Sequence, residues 1–303
     1  IALPTISSTS PSGTCGPGTV TIGATPSSGT VYWFSSASGG GSLDTGNTFT
    51  TPLLNSTRTY YAEVQSNGCT SASRTAVAAF VYNIPTINGV TNNDGCKGST
   101  VTLSAVPSAG TIRWYAASSG GTPLFTGNNF TTPALSSTTT YYAEAYANGC
   151  SSTSRSAVTA TILPIPVISS VIHGIACGSG TVNLSASAAS GTISWFADST
   201  GGTALTTGNT FTTPALSTTT RYWVEVKDNI CTSAPRVPVS AIIKPLPTIT
   251  ASNPAASCRP SAFVLNATAS AGQIKWYSSA VGGALLGSGN TFTTPVISTT
   301  TTY

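Results

Sequence analysis

The chain has 303 residues, of which 6% are charged and 40% hydrophobic, with 30 glycines, 19 prolines and no methionine. Its net charge of +4 comes from 11 basic and 7 acidic residues scattered singly. No basic stripe follows a phosphate backbone, so nucleic acid is not an expected partner. No window holds ~18 uninterrupted apolar residues, so no helical membrane span is expected. No basic stretch leads into an apolar core as in a signal peptide, so the signal of an exported protein would have been removed or lie outside this sequence.

The chain opens inside a repeat. Ile1–Leu3 align with Tyr82–Ile84, and Pro4 begins a series of junction prolines continued by Pro85, Pro166 and Pro247. Cys15, Cys96, Cys177 and Cys258 stand 81 residues apart, as do Trp33, Trp114, Trp195 and Trp276. Phe49, Phe130, Phe211 and Phe292 keep the same step, as do Tyr60, Tyr141, Tyr222 and Tyr303. A period this long and free of insertions predicts tandem domains, each with its own core, because solenoid units are shorter. The expected boundaries are 1–82, 83–163, 164–244 and 245–303.

The second unit is read for strands. STVTLSA (99–105) alternates with Val101 and Leu103 inward, and TIRWYA (111–116) puts Ile112 and Trp114 inward and Arg113 outward. Gly120-Gly121 suits a tight hairpin. TPLFTG is a short strand with Leu124 inward, turned at Gly127-Asn128. Phe130 anchors the next strand, broken at Pro133, and TTYYAEAY and SAVTATIL are the sixth and seventh. No apolar period of 3.6 persists, and Thr and Tyr favour strands. The expected fold is all-β: tandem immunoglobulin-like β-sandwiches of about seven strands each, in a linear array, with the Trp on the third strand. Tyr303 stops where Tyr60 stands, so the fourth unit lacks its last two strands. The reading is a window on a longer array, with donor-strand completion by a neighbouring chain as the alternative.

The pattern C…G-T-V-T-L-S-A…W-Y…G-G-T-x-L…G-N-x-F-T-T-P-x-L…T-T-Y-Y-A-E…N-G-C-x-S-x-x-R resembles the Ig-like repeat of large secreted and cell-surface proteins of Bacteroidota, often found near a type IX secretion sorting domain. The resemblance covers essentially the whole chain. It implies export, an extracellular or bacterial cell-surface setting, and a role as stalk, adhesin or filament. Asp198-Ser199-Thr200 resembles the O-glycosylation acceptor known in that phylum, which makes Ser199 a candidate for modification.

Within each complete unit the second cysteine follows the first by 54 residues: Cys15/Cys69, Cys96/Cys150 and Cys177/Cys231. Cys258 would find its partner at about position 312 by the same step. Regular pairs in a low-charge chain whose resemblance implies export read as disulfides. The intradomain pairs are the expectation. The alternative is a staple between neighbours, for instance Cys15 with Cys150, because the start of strand two and the start of strand seven lie at opposite ends of a standard sandwich. Zinc is not expected: ligands are not grouped, and the single histidine, His173, occurs in one unit.

Glu63, Glu144 and Glu225 recur with Arg74, Arg155 and Arg236, and read as cross-strand ion pairs worth a few tenths of a kcal/mol at an exposed site. In the third unit Asp228-Asn229-Ile230 replaces the Asn-Gly turn, so a longer or differently shaped hairpin is expected there. The four tryptophans read as core. Phe34, Tyr115, Phe196 and Tyr277 alternate outward and could stack on sugar rings, although such residues are more often covered by a neighbouring strand. Trp223 replaces Tyr61 and Tyr142 and is the best single candidate for a ligand contact.

No catalytic residues, cofactor or metal are expected. The seven carboxylates do not pair recurrently for acid–base chemistry, and no G-x-S-x-G, H-E-x-x-H or P-loop occurs. The functional expectation is a structural extracellular rod whose partners are neighbouring repeats, further copies in a filament, or surface glycans and a host or substratum. The alternatives are ligand-binding modules, or spacers of a larger secreted enzyme.

Overall fold

The computed structural model describes residues 2–303, and the described residues are all-β without a helix. The chain divides into two compact units, Ile1–Ile165 and Pro166–Tyr303.

The first unit contains two sandwiches of the same design. In the first, β1 (Ile6–Ser10), β3 (Thr21–Pro26) and β6 (Thr48–Thr50) form a three-stranded sheet. Facing it are β2 (Ser12–Cys15), β9 (Thr75–Tyr82), β7 (Arg58–Ser66), β4 (Thr30–Phe34) and β5 (Asp44–Thr45), in that order, with β8 (Cys69–Thr70) paired to β7. All pairings are antiparallel except β2 with β9, which runs parallel from Ser12↔Ala79 to Cys15↔Tyr82. The second sandwich repeats this with β10 (Ile87–Thr91), β12 (Thr102–Pro107) and β15 (Asn129–Thr131) as the small sheet. Its large sheet is β11 (Asn93–Cys96), β18 (Ser156–Leu163), β16 (Thr139–Ala147), β13 (Thr111–Tyr115) and β14 (Phe125–Thr126), with β17 (Cys150–Ser151) on β16.

The seven expected strands become nine because the first strand splits between the two sheets and the second cysteine opens a short strand of its own. Two local expectations fail. Gly120 and Gly121 take φ of 66° and 74° but sit in a long loop between β13 and β14, not in a two-residue hairpin. Leu124 precedes β14 and is exposed, not inward. Gly127-Asn128 does not fold a hairpin either: it carries the chain from the large sheet to the small one, and the Gly127 carbonyl accepts the Trp114 Nε1–H bond at 2.8 Å.

Alternation sets the core. Val101, Leu103, Ile112, Trp114, Phe130 and Tyr141 are buried between the sheets, as are Val20, Ile22, Val31, Trp33, Phe49 and Tyr60 in the first sandwich. Each core centres on an aromatic chain: Phe130 stacks on Trp114 with centroids 5.5 Å apart and meets Tyr141 edge-on at 5.0 Å. Such offset and edge geometries suit the ring quadrupoles.

The second unit holds a third complete sandwich, from β19 (Ile168–Ile172) to β27 (Val237–Lys244), with the same two sheets. It also holds a shorter fourth one. There β28 (Ile249–Asn253), β29 (Val264–Ala269) and β32 (Thr291–Thr293) form the small sheet, but β30 (Lys275–Tyr277) pairs only with β31 (Leu285–Ser288). The buried core of this sandwich is Ala267, Ile274 and Trp276, with Phe263 and Leu265 only partly buried.

Candidate functional site

On the outer face of each large sheet an arginine closes over an aromatic ring. The register Ala62↔Thr75, continued by one residue, sets Glu63 opposite Arg74. Arg74 Nε donates to Glu63 Oε2 at 3.1 Å, and Nη1 donates to the carbonyls of Ser36 and Gly39 at 2.9 and 2.7 Å. The guanidinium carbon lies 3.3 Å from the centroid of the Phe34 ring. Arg155 does the same over Tyr115, with Glu144 and the carbonyls of Ala117 and Gly120. Arg236 repeats it over Phe196, with Glu225, Asp198 and Gly201.

The expected cross-strand ion pairs form, but at largely buried positions where an exposed site was expected. The arginine side chains are 10–11% exposed, and the planar fork fixes a loop, a carboxylate and a ring at once. Gly39, Gly120 and Gly201 take φ of 64–66°, the left-handed conformation that glycine adopts without strain, in the loop whose carbonyls face the guanidinium. The sugar-platform reading of the ring positions fails in the complete sandwiches for the same reason: Phe34, Tyr115 and Phe196 are 5–7% exposed. In the fourth sandwich the equivalent Tyr277 is 41% exposed.

A second recurrent device was not legible as such. Thr51, Thr132, Thr213 and Thr294, the second threonine of each FTTP, are buried. Their Oγ1 atoms accept the backbone N–H of Val20, Val101, Val182 and Phe263 at 2.9–3.0 Å. An unpaired buried N–H is costly. The only sequence signal is the recurrence of the threonine.

The cysteines depart from the intradomain expectation. Cys15 is bonded to Cys150, 135 residues onward in the next sandwich, with Cα atoms 5.6 Å apart. Cys96 and Cys231 are also disulfide-bonded. Cys69, Cys177 and Cys258 are free among the described residues, so the pairs Cys15/Cys69, Cys96/Cys150 and Cys177/Cys231 do not form. The hairpin before the second cysteine keeps its length in all three complete sandwiches, with Ser66↔Cys69, Ala147↔Cys150 and Asp228↔Cys231. The third is therefore not longer. Its turn does differ in shape: Asn229 alone of its pair takes positive φ, whereas Asn67-Gly68 and Asn148-Gly149 both do.

Trp223 is partly buried on the outer face of β25 (Thr220–Asp228), between its register partners Phe196 and Pro238. Ser199 is exposed in the loop whose Asp198 and Gly201 carbonyls hold Arg236. His173 Nδ1 accepts the Ser240 N–H at 2.9 Å, where Asn92 Oδ1 accepts the Thr159 N–H at 2.8 Å in the preceding sandwich. Among the described residues no group of three or more His, Cys, Asp or Glu comes together, and no helix is long and apolar enough to cross a membrane. Burial raises the Tyr141 and Tyr222 hydroxyls above their ordinary value.

The chain belongs to the family described as "Ig-like domain CHU_C associated", which matches residues 2–82, 83–164, 165–245 and 246–303. Solved structures similar to it include titin domains I67–I69 in an E-to-A variant, 12% identical, covering 81% of this chain and 99% of that one at a TM-score of 0.37. Sidekick-1 immunoglobulin domains 1–5 are 14% identical, covering 80% and 59% at 0.37. The three N-terminal domains of the bacteriophage RB49 outer capsid protein Hoc are 12% identical, covering 77% and 95% at 0.36. No curated protein matches.

Proposed function

We propose that these repeats are a structural extracellular rod, part of a bacterial cell-surface stalk, adhesin or filament. One observation carries the reading: Cys15–Cys150 joins successive sandwiches that the backbone already joins through residues 83–86 alone. A second covalent link across so short a connection supports a stiff junction, and disulfides persist in oxidising compartments. Tandem immunoglobulin-like repeats are typically non-catalytic, and the polar groups that recur here are occupied in holding loops and strand ends. Imaging of single molecules by negative stain tests the reading. Straight particles lengthening in proportion to repeat number are expected, and collapsed or freely jointed particles would overturn it.

Ligand binding is the second reading, supported by Trp223, a partly exposed tryptophan where the first two repeats carry Tyr61 and Tyr142. Binding on a glycan array that Trp223→Ala abolishes would favour it. Self-assembly, with a second copy donating a strand to the fourth sandwich, would use the open edge of β30. A spacer role in a larger secreted enzyme would be favoured by a catalytic domain elsewhere in the gene product.

A further inference from the structure

Two covalent links leave the first sandwich side by side. Cys15 ends β2 and is the register partner of Tyr82, the last residue of β9, and Gly16 N–H donates to the Tyr82 carbonyl at 2.8 Å. From Tyr82 the backbone runs on to β10, while from Cys15 the disulfide reaches Cys150.

The two links land on different layers of the second sandwich. The backbone enters β10, an edge strand of the small sheet, whose pairing with β12 is interrupted by a register shift between Ile87 and Gly89. The disulfide enters the large sheet at buried Cys150, which pairs with Ala147 at the end of β16, a strand flanked by β13 and β18. Tension on the backbone alone would peel β10 away from its end, breaking few hydrogen bonds at a time. Tension on the disulfide is delivered to β17, whose partner β16 has a strand on either side.

Resting on the rod reading, we infer that Cys15–Cys150 is a second tether that carries tension between the sandwiches. It joins large sheet to large sheet across the junction and keeps residues 16–149 out of the extensible chain even after both sandwiches unfold.

The test is force spectroscopy on the full chain with handles at exposed Ala2 and Ile165, which bracket the first two sandwiches. In the oxidised protein only 13 residues before Cys15 and 15 after Cys150 can extend (15 − 2 and 165 − 150), or about 90–100 Å at ~3.3–3.6 Å per residue. Cys15→Ser should add the 135-residue separation, about 450–490 Å, and lower the force of the first rupture. Should that variant not fold, reducing the native protein with a dithiol while it is held gives the same comparison. Equal extension in oxidised and reduced protein would overturn the tether, and so would a first-rupture force unchanged by its loss. Collapsed particles in imaging, with the extension result intact, would instead remove the rod reading and leave the covalent topology standing.

Discussion

Arg155 lies flat on Tyr115, its guanidinium carbon 3.3 Å from the ring centroid, while the same group binds Glu144 and two loop carbonyls. Removing it leaves two carbonyls and Glu144 Oε2 without their donor, while Glu144 Oε1 still accepts from the Tyr115 and Ser151 hydroxyls. Arg155→Ala should therefore destabilise the second sandwich by about 2–4 kcal/mol, read as a lower chemical-denaturation midpoint. Arg155→Lys keeps the charge without the planar fork and should recover only part of the loss. A change near zero for both would show that the ion pair, ring contact and loop bonds contribute nothing net.

Thr132 makes a sharper test of a single bond. Thr132→Val keeps the shape but orphans the Val101 N–H, which should cost about 1–3 kcal/mol. Thr132→Ser retains the oxygen and should lie much closer to wild type in the same denaturation experiment.

The thiols can be counted directly. Iodoacetamide on unreduced protein should label Cys69, Cys177 and Cys258 and spare Cys15 and Cys150. Mapping of non-reduced peptides should recover one species carrying Cys15 with Cys150. A peptide joining Cys15 to Cys69 would contradict the connectivity.

Stability should fall on the alkaline side through Tyr141 and Tyr222. Their folded hydroxyls titrate above the ordinary value near pH 10 because burial disfavours the phenolate. Below that pH both folded and unfolded forms keep the proton, so the contribution is fully present. Above it the unfolded chain ionises first, and stability is lost as pH rises toward the folded value. Thermal midpoints measured from about pH 8 to 11 should decline beginning near pH 10, and less steeply in the Tyr141→Phe, Tyr222→Phe double variant.

Much of the fold was legible because it is local. Alternation at Val101/Leu103 and Ile112/Trp114 names the inward face without knowledge of the partner sheet, since a strand's side chains alternate whatever lies opposite. The Asn-Gly pairs before Cys69 and Cys150 likewise announce their turns. Leu124 escapes such reading because a single apolar residue beside a glycine-rich loop carries no period.

The arginine clamp was only half visible. Glu144 and Arg155 recur in the sequence, but the other acceptors are the backbone carbonyls of Ser36, Ala117 and Asp198 and of three glycines. Any residue supplies a carbonyl, so three different side chains at one position leave no signature. Outward-pointing Phe34 looks available for a ligand until the loop and Arg74 are placed over it.

By itself, then, the sequence determined the 81-residue period, the two-layer sandwich and the set of cysteines able to oxidise. The choice among those cysteines belonged to the tertiary structure. Separations of 54 and of 135 residues differ by one period, so both pairings repeat with equal regularity along the chain. Only the folded positions of β2 and of the hairpin in the next sandwich bring Cys15 within bonding distance of Cys150, and a disulfide forms where two Cα atoms come within about 4.4–6.8 Å, whatever their spacing in sequence.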